Sequence, residues 1–414
     1  MAIIKPFCGI RPASGYASKI AALPYDVYNR EEATKEVKDK PYSFLRIDRA
    51  EVELNTEISS YDKRVYEHAK YKFNEFIDKE YFVIDNKPYL YLYELEMNGN
   101  KQMGIVSCTS VDEYLDNKIK KHELTRESKE QDRINHVDYL DANTGPIFLT
   151  YRAREDINAI INEYIIDNKP IYDFVSDDNI GHRVWVLDKE DIIENIINCF
   201  ESVDSLYIAD GHHRAASAVK VALKRRKENP TYQGKEEFNY FLSVIFPDNQ
   251  LNIMDYNRVV KDLNNNNVNE LISKISINFD VIKIGQLPYK PSNKSEFGMY
   301  VDGNWYKLTA KESIINTDDE VLSLDVAILQ NYILEPILNI TDPRVDKRID
   351  FVGGIRGLEE LERRVNTDMK IAFSMYPTEV KELMDIADAN KLMPPKSTWF
   401  EPKLRSGLFI HSIK

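Results

Sequence analysis

The chain has 414 residues, 43% hydrophobic and 30% charged, which is the make-up of a folded protein of two or three structural units and argues against a disordered, collagen-like or disulfide-scaffold protein. Its 55 Lys and Arg stand against 68 Asp and Glu, a net charge of -13, so a broad electrostatic grip on nucleic acid or on an anionic membrane is not expected, and only a local basic pocket for a small anion remains. Cys8, Cys108 and Cys199 form no CxxC pair, which favours a reducing compartment. The opening residues Met1 to Pro6 interrupt their apolar run at Lys5, and nowhere do about 18 apolar residues follow one another, so the expectation is a soluble cytoplasmic protein without a membrane partner.

Along the chain, Pro24-Tyr25-Asp26-Val27 and Pro41-Tyr42-Ser43-Phe44-Leu45 read as turn-and-strand scaffold with no catalytic role. The apolar stretches 89–95 and 105–107 flank Asn98-Gly99, a pair suited to the two positive φ angles of a tight hairpin. The segment 214–226 has helical spacing of Ala, Val and Leu. The run Asn264-Asn265-Asn266-Asn267 marks a domain boundary. Beyond it, Asp302-Gly303 predicts a second hairpin, and Leu324, Ala327, Ile328 and Ile333 recur at helical spacing. Strands and helices mix without regular βαβ alternation, so the fold class is α+β, organised as an N-terminal α/β region at 1–100, a core at 101–262, catalytic on the family resemblance given below, and a C-terminal α/β region at 268–414.

Absences narrow the chemistry. No glycine belongs to a GxxxxGK[ST] loop, since Gly234-Lys235 is followed by Glu236, and Gly353-Gly354-Ile355-Arg356-Gly357 is only a weak anion loop. There is no HExxH or paired CxxC, and seven histidines give little material for a structural zinc site.

The most informative stretch is the run from Ser205 through Ala209-Asp210-Gly211-His212-His213-Arg214 to Ala218, which reads as strand, tight turn and helix. Such a turn offers backbone N–H groups at the positive end of a helix. Charged cations in a first helical turn cost about 0.3–1 kcal/mol against the dipole, so His-His-Arg there makes sense if an anion binds. On that reading Gly211 lets the backbone approach a phosphate, Arg214 makes a forked hydrogen bond to it, and Asp210 holds Mg²⁺ or orients a histidine. The plain alternative makes Asp210 an N-cap and leaves the histidines exposed. Zinc ligation by the His212-His213 pair has less weight, because adjacent helical residues point about 100° apart.

Two further clusters stand out. Lys120-Lys121-His122-Glu123-Leu124-Thr125, with Asp132-Arg133 after it, has the look of a solvated helical face, from which Glu123 would rarely be catalytic. The end of the chain joins prolines to Trp399, Phe400, Leu408 and Phe409, so it is expected to pack down and to hold Lys396, Lys403 and Arg405 either as anion donors or as rim charges.

Taken together, Pro24 to Val27, His122-Glu123-x-Thr125, Asp210 to Arg214 and Lys396-Ser397-Thr398-Trp399-Phe400-Glu401-Pro402-Lys403 resemble the domain-of-unknown-function 1015 family over nearly the whole chain. Asn257-Arg258 departs from it where His-Arg is expected. The resemblance implies a ParB/sulfiredoxin-like phosphate-binding core and kinship with free L-serine kinases, which make O-phospho-L-serine. Carried over, it implies Glu123, Asp210 and His213 as catalytic residues and Gly211, His212, His213 and Arg214 as the phosphate turn. Lys396, Ser397 and Thr398 become a substrate-binding segment returned to the site by the C-terminal region, and Asp210 becomes the Mg²⁺ ligand. The donor would be ATP, ADP or pyrophosphate, and the partners free L-serine and that donor, with no nucleic acid. The rivals are a ParB-like nucleotide-gated regulatory or DNA-partition protein and a phosphatase or nucleotide hydrolase with water as acceptor.

Overall fold

The computed structural model describes residues 2–125, 127–316 and 318–414, with the backbone alone for Ser128; Met1 of the opening segment lies outside them. The chain divides into two compact units, Met1–Leu251 with Pro402–Lys414 returned to it, and Asn252–Glu401. Strands and helices mix in both, as α+β requires.

The first unit is built on a nine-stranded mixed sheet, counted among the described residues. Its path runs Ile119–Lys120, Leu206–Asp210, Ile147–Tyr151, Tyr240–Pro247, Asn100–Ser110, Leu90–Met97, Gly181–Leu187 and Tyr172–Val175, with Ile4–Lys5 paired to Asn100–Ser110. Asn98 and Gly99 close the hairpin with φ of 52° and 80°. Consecutive residues of Leu90–Met97 are buried on both faces, which is why that strand reads as an apolar run and not as an alternation. One face packs Leu92, Ile105, Leu149 and Ile208 against Ala215, Ala218 and Ala222 of the helix His212–Glu228. On the other, Phe409 meets the rings of Tyr91 and Tyr93, so the end of the chain does pack down.

The second unit holds a six-stranded antiparallel sheet in the order Phe279–Gly285, Asn304–Ala310, Glu296–Val301, Ile371–Met375, Tyr256–Val260, Ile349–Gly353. Asp302 and Gly303 form its predicted hairpin turn, with φ of 48° and 70°. The helix Leu358–Thr367 buries Leu361 against Val259, Tyr300, Trp305 and Ala372. A separate two-stranded ribbon pairs Asn252–Met254 with Trp399–Glu401.

Three expectations are corrected. The division does not follow 1–100, 101–262 and 268–414, because the Leu90–Met97/Asn100–Ser110 hairpin straddles residue 100 and Tyr256–Val260 pairs within the second sheet. The asparagine run is no boundary but a helix start, where Asn267 accepts from Glu270 N and Glu270 reaches back to Asn267 N. Residues 41–45 open a helix, Leu45–Asp48, where a strand was expected. No helix among the described residues is long and apolar enough to cross a membrane.

Candidate active site at the ends of two parallel strands

Ile119–Lys120 and Leu206–Tyr207 lie side by side and parallel, Ile119 opposite Leu206 and Lys120 opposite Tyr207. Both chains therefore leave the sheet at the same end, which puts Lys121-His122-Glu123 beside Asp210-Gly211-His212. A register break between Ile208 and Asp210 turns the second strand out of its ladder. Gly211 then takes φ 91° and ψ 29° and stands as the N-cap of His212–Glu228. Left-handed backbone of this kind strains any residue with a Cβ, which explains a glycine here.

Asp210 does not act as the N-cap. Its Oδ1 accepts from Gly211 N at 2.8 Å, and its Oδ2 takes the Lys403 ammonium at 2.8 Å. Burial raises the carboxyl, but Lys403 and the Gly211 N–H outweigh it and hold the group at about 2. With both oxygens engaged, one by a cationic ammonium, the residue does not fit a Mg²⁺ ion, which wants octahedral oxygen ligands.

The histidines separate as the helical angle demands: His212 is buried and His213 half-buried. The partner of His212 is not its neighbour but His122, whose ring stands edge-on to it, centroids 4.4 Å apart at 85°. His122 is 2% exposed and neither ring nitrogen finds a hydrogen-bond partner; Nε2 of His212 finds none either. Each neutral imidazole carries one donor and one acceptor, and leaving such a group unsatisfied in the interior costs about 1–3 kcal/mol. Burial pushes the His122 imidazole well below its usual value and His212 to about 4, so both are neutral at pH 7. Glu123 is half-buried beside them, Oε2 3.9 Å from His212 Nδ1. One ligand atom each from His122, Glu123 and His212 lies within 4.8 Å of the others.

The segment is not a solvated helical face. Ile119–Lys120 is a strand, Lys121 donates to Tyr114 O at 3.1 Å, and Thr125 is tied to Glu130, which also takes Lys220.

Arg214 departs from its expected role. Its guanidinium donates to Ser406 Oγ at 3.0 Å, lies 3.6 Å from Asp48 Oδ2 and 5.5 Å from the ring of Tyr25. A Cβ on Gly145 would fall 1.6 Å from it, so that glycine makes the space. Arg133 stacks on the same tyrosine at 3.9 Å. Burial raises the Asp48 carboxyl, while Arg214, His136 and Arg133 together bring it below its ordinary value. Tyr25, from a segment read as plain scaffold, and Asp48, which no sequence reading singled out, thus set where Arg214 can reach. Arg405 is likewise committed, to Asp178, Ser176 and His182.

Lys396, Ser397 and Thr398 belong to the second unit. Ser397 Oγ donates to Pro394 O at 2.6 Å, Thr378 Oγ1 donates to Ser397 O at 2.9 Å, and Lys396 stands 5.5 Å over the ring of Tyr256. Asn257, the departure noted above, is buried, accepts from Met375 N and donates to Asp255. Buried Arg258 beside it donates to Lys396 O at 3.0 Å and lines a cavity of about 350 Å³ with Gln330 and Phe351.

The sequence model of the family described as "Protein of unknown function (DUF1015)" matches residues 4–327. Among solved structures, a free serine kinase mutant in complex with AMP is similar at 13% identity and a TM-score of 0.38, over 74% of this chain and 91% of its own. A conserved hypothetical protein from Pyrococcus furiosus is similar at 15% identity and 0.36, over 74% and 95%. C-terminally truncated SbnI from Staphylococcus aureus is similar at 10% identity and 0.38, over 74% and 87%. No curated protein matches the chain.

Proposed function

The chain belongs to the DUF1015 family, and from its site we propose that it is a phosphotransferase with a ParB/sulfiredoxin-like core that phosphorylates the hydroxyl of free L-serine to O-phospho-L-serine. The observation that carries this reading is the glycine-opened helix at His212 with the Glu123 carboxylate beside it. The first N–H groups of a helix have no partner within it and attract phosphate. On this reading the backbone N–H groups of His212, His213 and Arg214 hold the phosphates of ATP, ADP or pyrophosphate, Gly211 opens the turn with its own N–H on Asp210, and the Arg214 side chain, engaged by Ser406, braces the turn instead of forking onto them.

Serine's hydroxyl is a weak nucleophile, and phosphoryl transfer asks chiefly for an in-line acceptor and neutralised charge. Glu123 accepts the hydroxyl proton as the oxygen attacks, while Lys403 holds Asp210, and so the turn, in place. His213 stays as a proposed phosphate contact. Lys396, Ser397 and Thr398 stay as proposed substrate-binding residues on the strength of their motif. Asp210, with its oxygens on Gly211 N and Lys403, does not fit as a Mg²⁺ ligand.

The test is ³¹P NMR of the purified chain with L-serine, crossed with ATP, ADP and pyrophosphate. Phosphoserine is the expected product. Free phosphate without phosphoserine would make the protein a hydrolase, and no turnover with any donor overturns the reading.

A further inference from the structure

We propose that His122, His212 and Glu123 form a binding site for one divalent transition-metal ion of the zinc class. This goes beyond phosphoryl transfer and does not rest on it. The three residues offer one ligand atom each within 4.8 Å of one another. The site rests chiefly on His122, which is 2% exposed and has two ring nitrogens without a partner, next to the unpartnered Nε2 of buried His212.

Buried polar groups in folded proteins are almost always satisfied, so three unsatisfied imidazole nitrogens at one spot need an explanation. Two rings packed only for their apolar faces would still turn a nitrogen toward a carbonyl or a hydroxyl. Here the rings stand edge-on at 4.4 Å with the Glu123 carboxylate on their rim. Zinc takes imidazole nitrogen at about 2.0–2.1 Å and carboxylate oxygen at about 2.0–2.2 Å, and small side-chain rotations bring these atoms to such distances.

The donor set also selects the metal. Two imidazoles and one carboxylate suit zinc, iron, cobalt, nickel or copper, whereas magnesium and calcium want oxygen alone. Three protein ligands leave a fourth position open, the pattern of ions that polarise a bound oxygen and not of closed structural sites. Monodentate binding by Glu123 leaves its second oxygen for a proton. The parallel pairing of Ile119–Lys120 with Leu206–Tyr207 sets His122 and His212 together before any ion arrives, so binding needs no refolding.

The experiment uses the full chain without a histidine tag, stripped with a chelator and titrated with Co²⁺ and no phosphate donor or serine present. One equivalent should bind with visible d–d absorption bands, be displaced by Zn²⁺ and survive a large excess of Mg²⁺. His122→Gln and His212→Gln should each weaken binding by at least ~10-fold, whereas His68→Gln should leave it unchanged. Because a ligand variant can fail to fold, pulsed EPR of the Cu²⁺-loaded wild type counts its imidazole ligands, and two are expected. Absence of the bands, displacement by Mg²⁺, bands that persist in both variants, or fewer than two imidazoles overturns the proposal. None of these readings involves phosphoryl transfer, so a failed kinase assay and a failed metal titration are separate results.

Discussion

Lys403 Nζ lies 2.8 Å from Asp210 Oδ2, which ties the last segment of the chain to the turn that opens the helix at His212. The Asp210 side chain is 46% exposed, so water screens this pair and its worth to stability is at the surface-pair level of about 1 kcal/mol or less. Its worth to the site is larger, because it fixes the carboxylate that receives Gly211 N. Lys403→Met should therefore leave thermal unfolding nearly unchanged while weakening the donor's KM by at least ~10-fold, the cost expected of a displaced positioning group. Unfolding curves and donor titrations on the same preparation check it.

Gly211 stands at φ 91°, and a Cβ there would meet nothing nearer than 3.7 Å, the Cα of Ile147. The penalty for Gly211→Ala is thus conformational and not steric, about 1–2 kcal/mol for left-handed backbone. Asparagine tolerates that region better, so Gly211→Asn should cost less than Gly211→Ala. Urea unfolding of the three proteins gives the order, and an alanine variant as stable as wild type would contradict it.

These two residues also show what could be read from the sequence. Asp-Gly after an apolar run, Asn98-Gly99 and Asp302-Gly303 announce their turns because the backbone angles they need are local. The pairing of His122 with His212 is not local. It depends on Ile119–Lys120 lying parallel to Leu206–Tyr207, which no periodicity encodes across the 85 residues between Lys120 and Leu206. That His212 and His213 part company is local, set by the angle between adjacent helical residues, whereas the ring that meets His212 is not. Arg214 misleads for the same reason: its place at a helix start suggests phosphate, while Ser406, Asp48 and Tyr25, distant in sequence, claim its side chain. Thr125 and Glu130, only five residues apart, lock the stretch that composition presents as solvated.

Glu123 sits half-buried with Oε2 3.9 Å from His212 Nδ1, close enough to the helix opening to serve an acceptor held there. Glu123→Gln keeps the size and removes the base. Turnover should fall by about 10²–10⁴ with the circular dichroism spectrum and donor affinity retained. Product formation under saturating donor measures it, and near-normal turnover would take Glu123 out of the mechanism.

Asp325 in the second unit gives the pH dependence. It is buried, both oxygens accept from Ser295 N, and burial, with a smaller contribution from Glu382, pushes its carboxyl up to about 7 from its ordinary value near 3.8. A folded value above the unfolded one means that the folded chain binds the proton more tightly. The stability this gives is complete below about 4 and is lost as the pH rises through about 7. Three pKa units correspond to at most about 4 kcal/mol, less whatever the Ser295 N–H returns to the charged form. Asp325→Asn keeps an acceptor for that N–H and cannot ionise, so it should stabilise the second unit at pH 8 and do little at pH 4. Trp305 and Trp399 lie in this unit and Trp185 in the other, so denaturant unfolding read by fluorescence in a Trp185→Phe background isolates the effect. A gain of equal size at both pH values would show that Asp325 stays protonated, or stays charged, across the range.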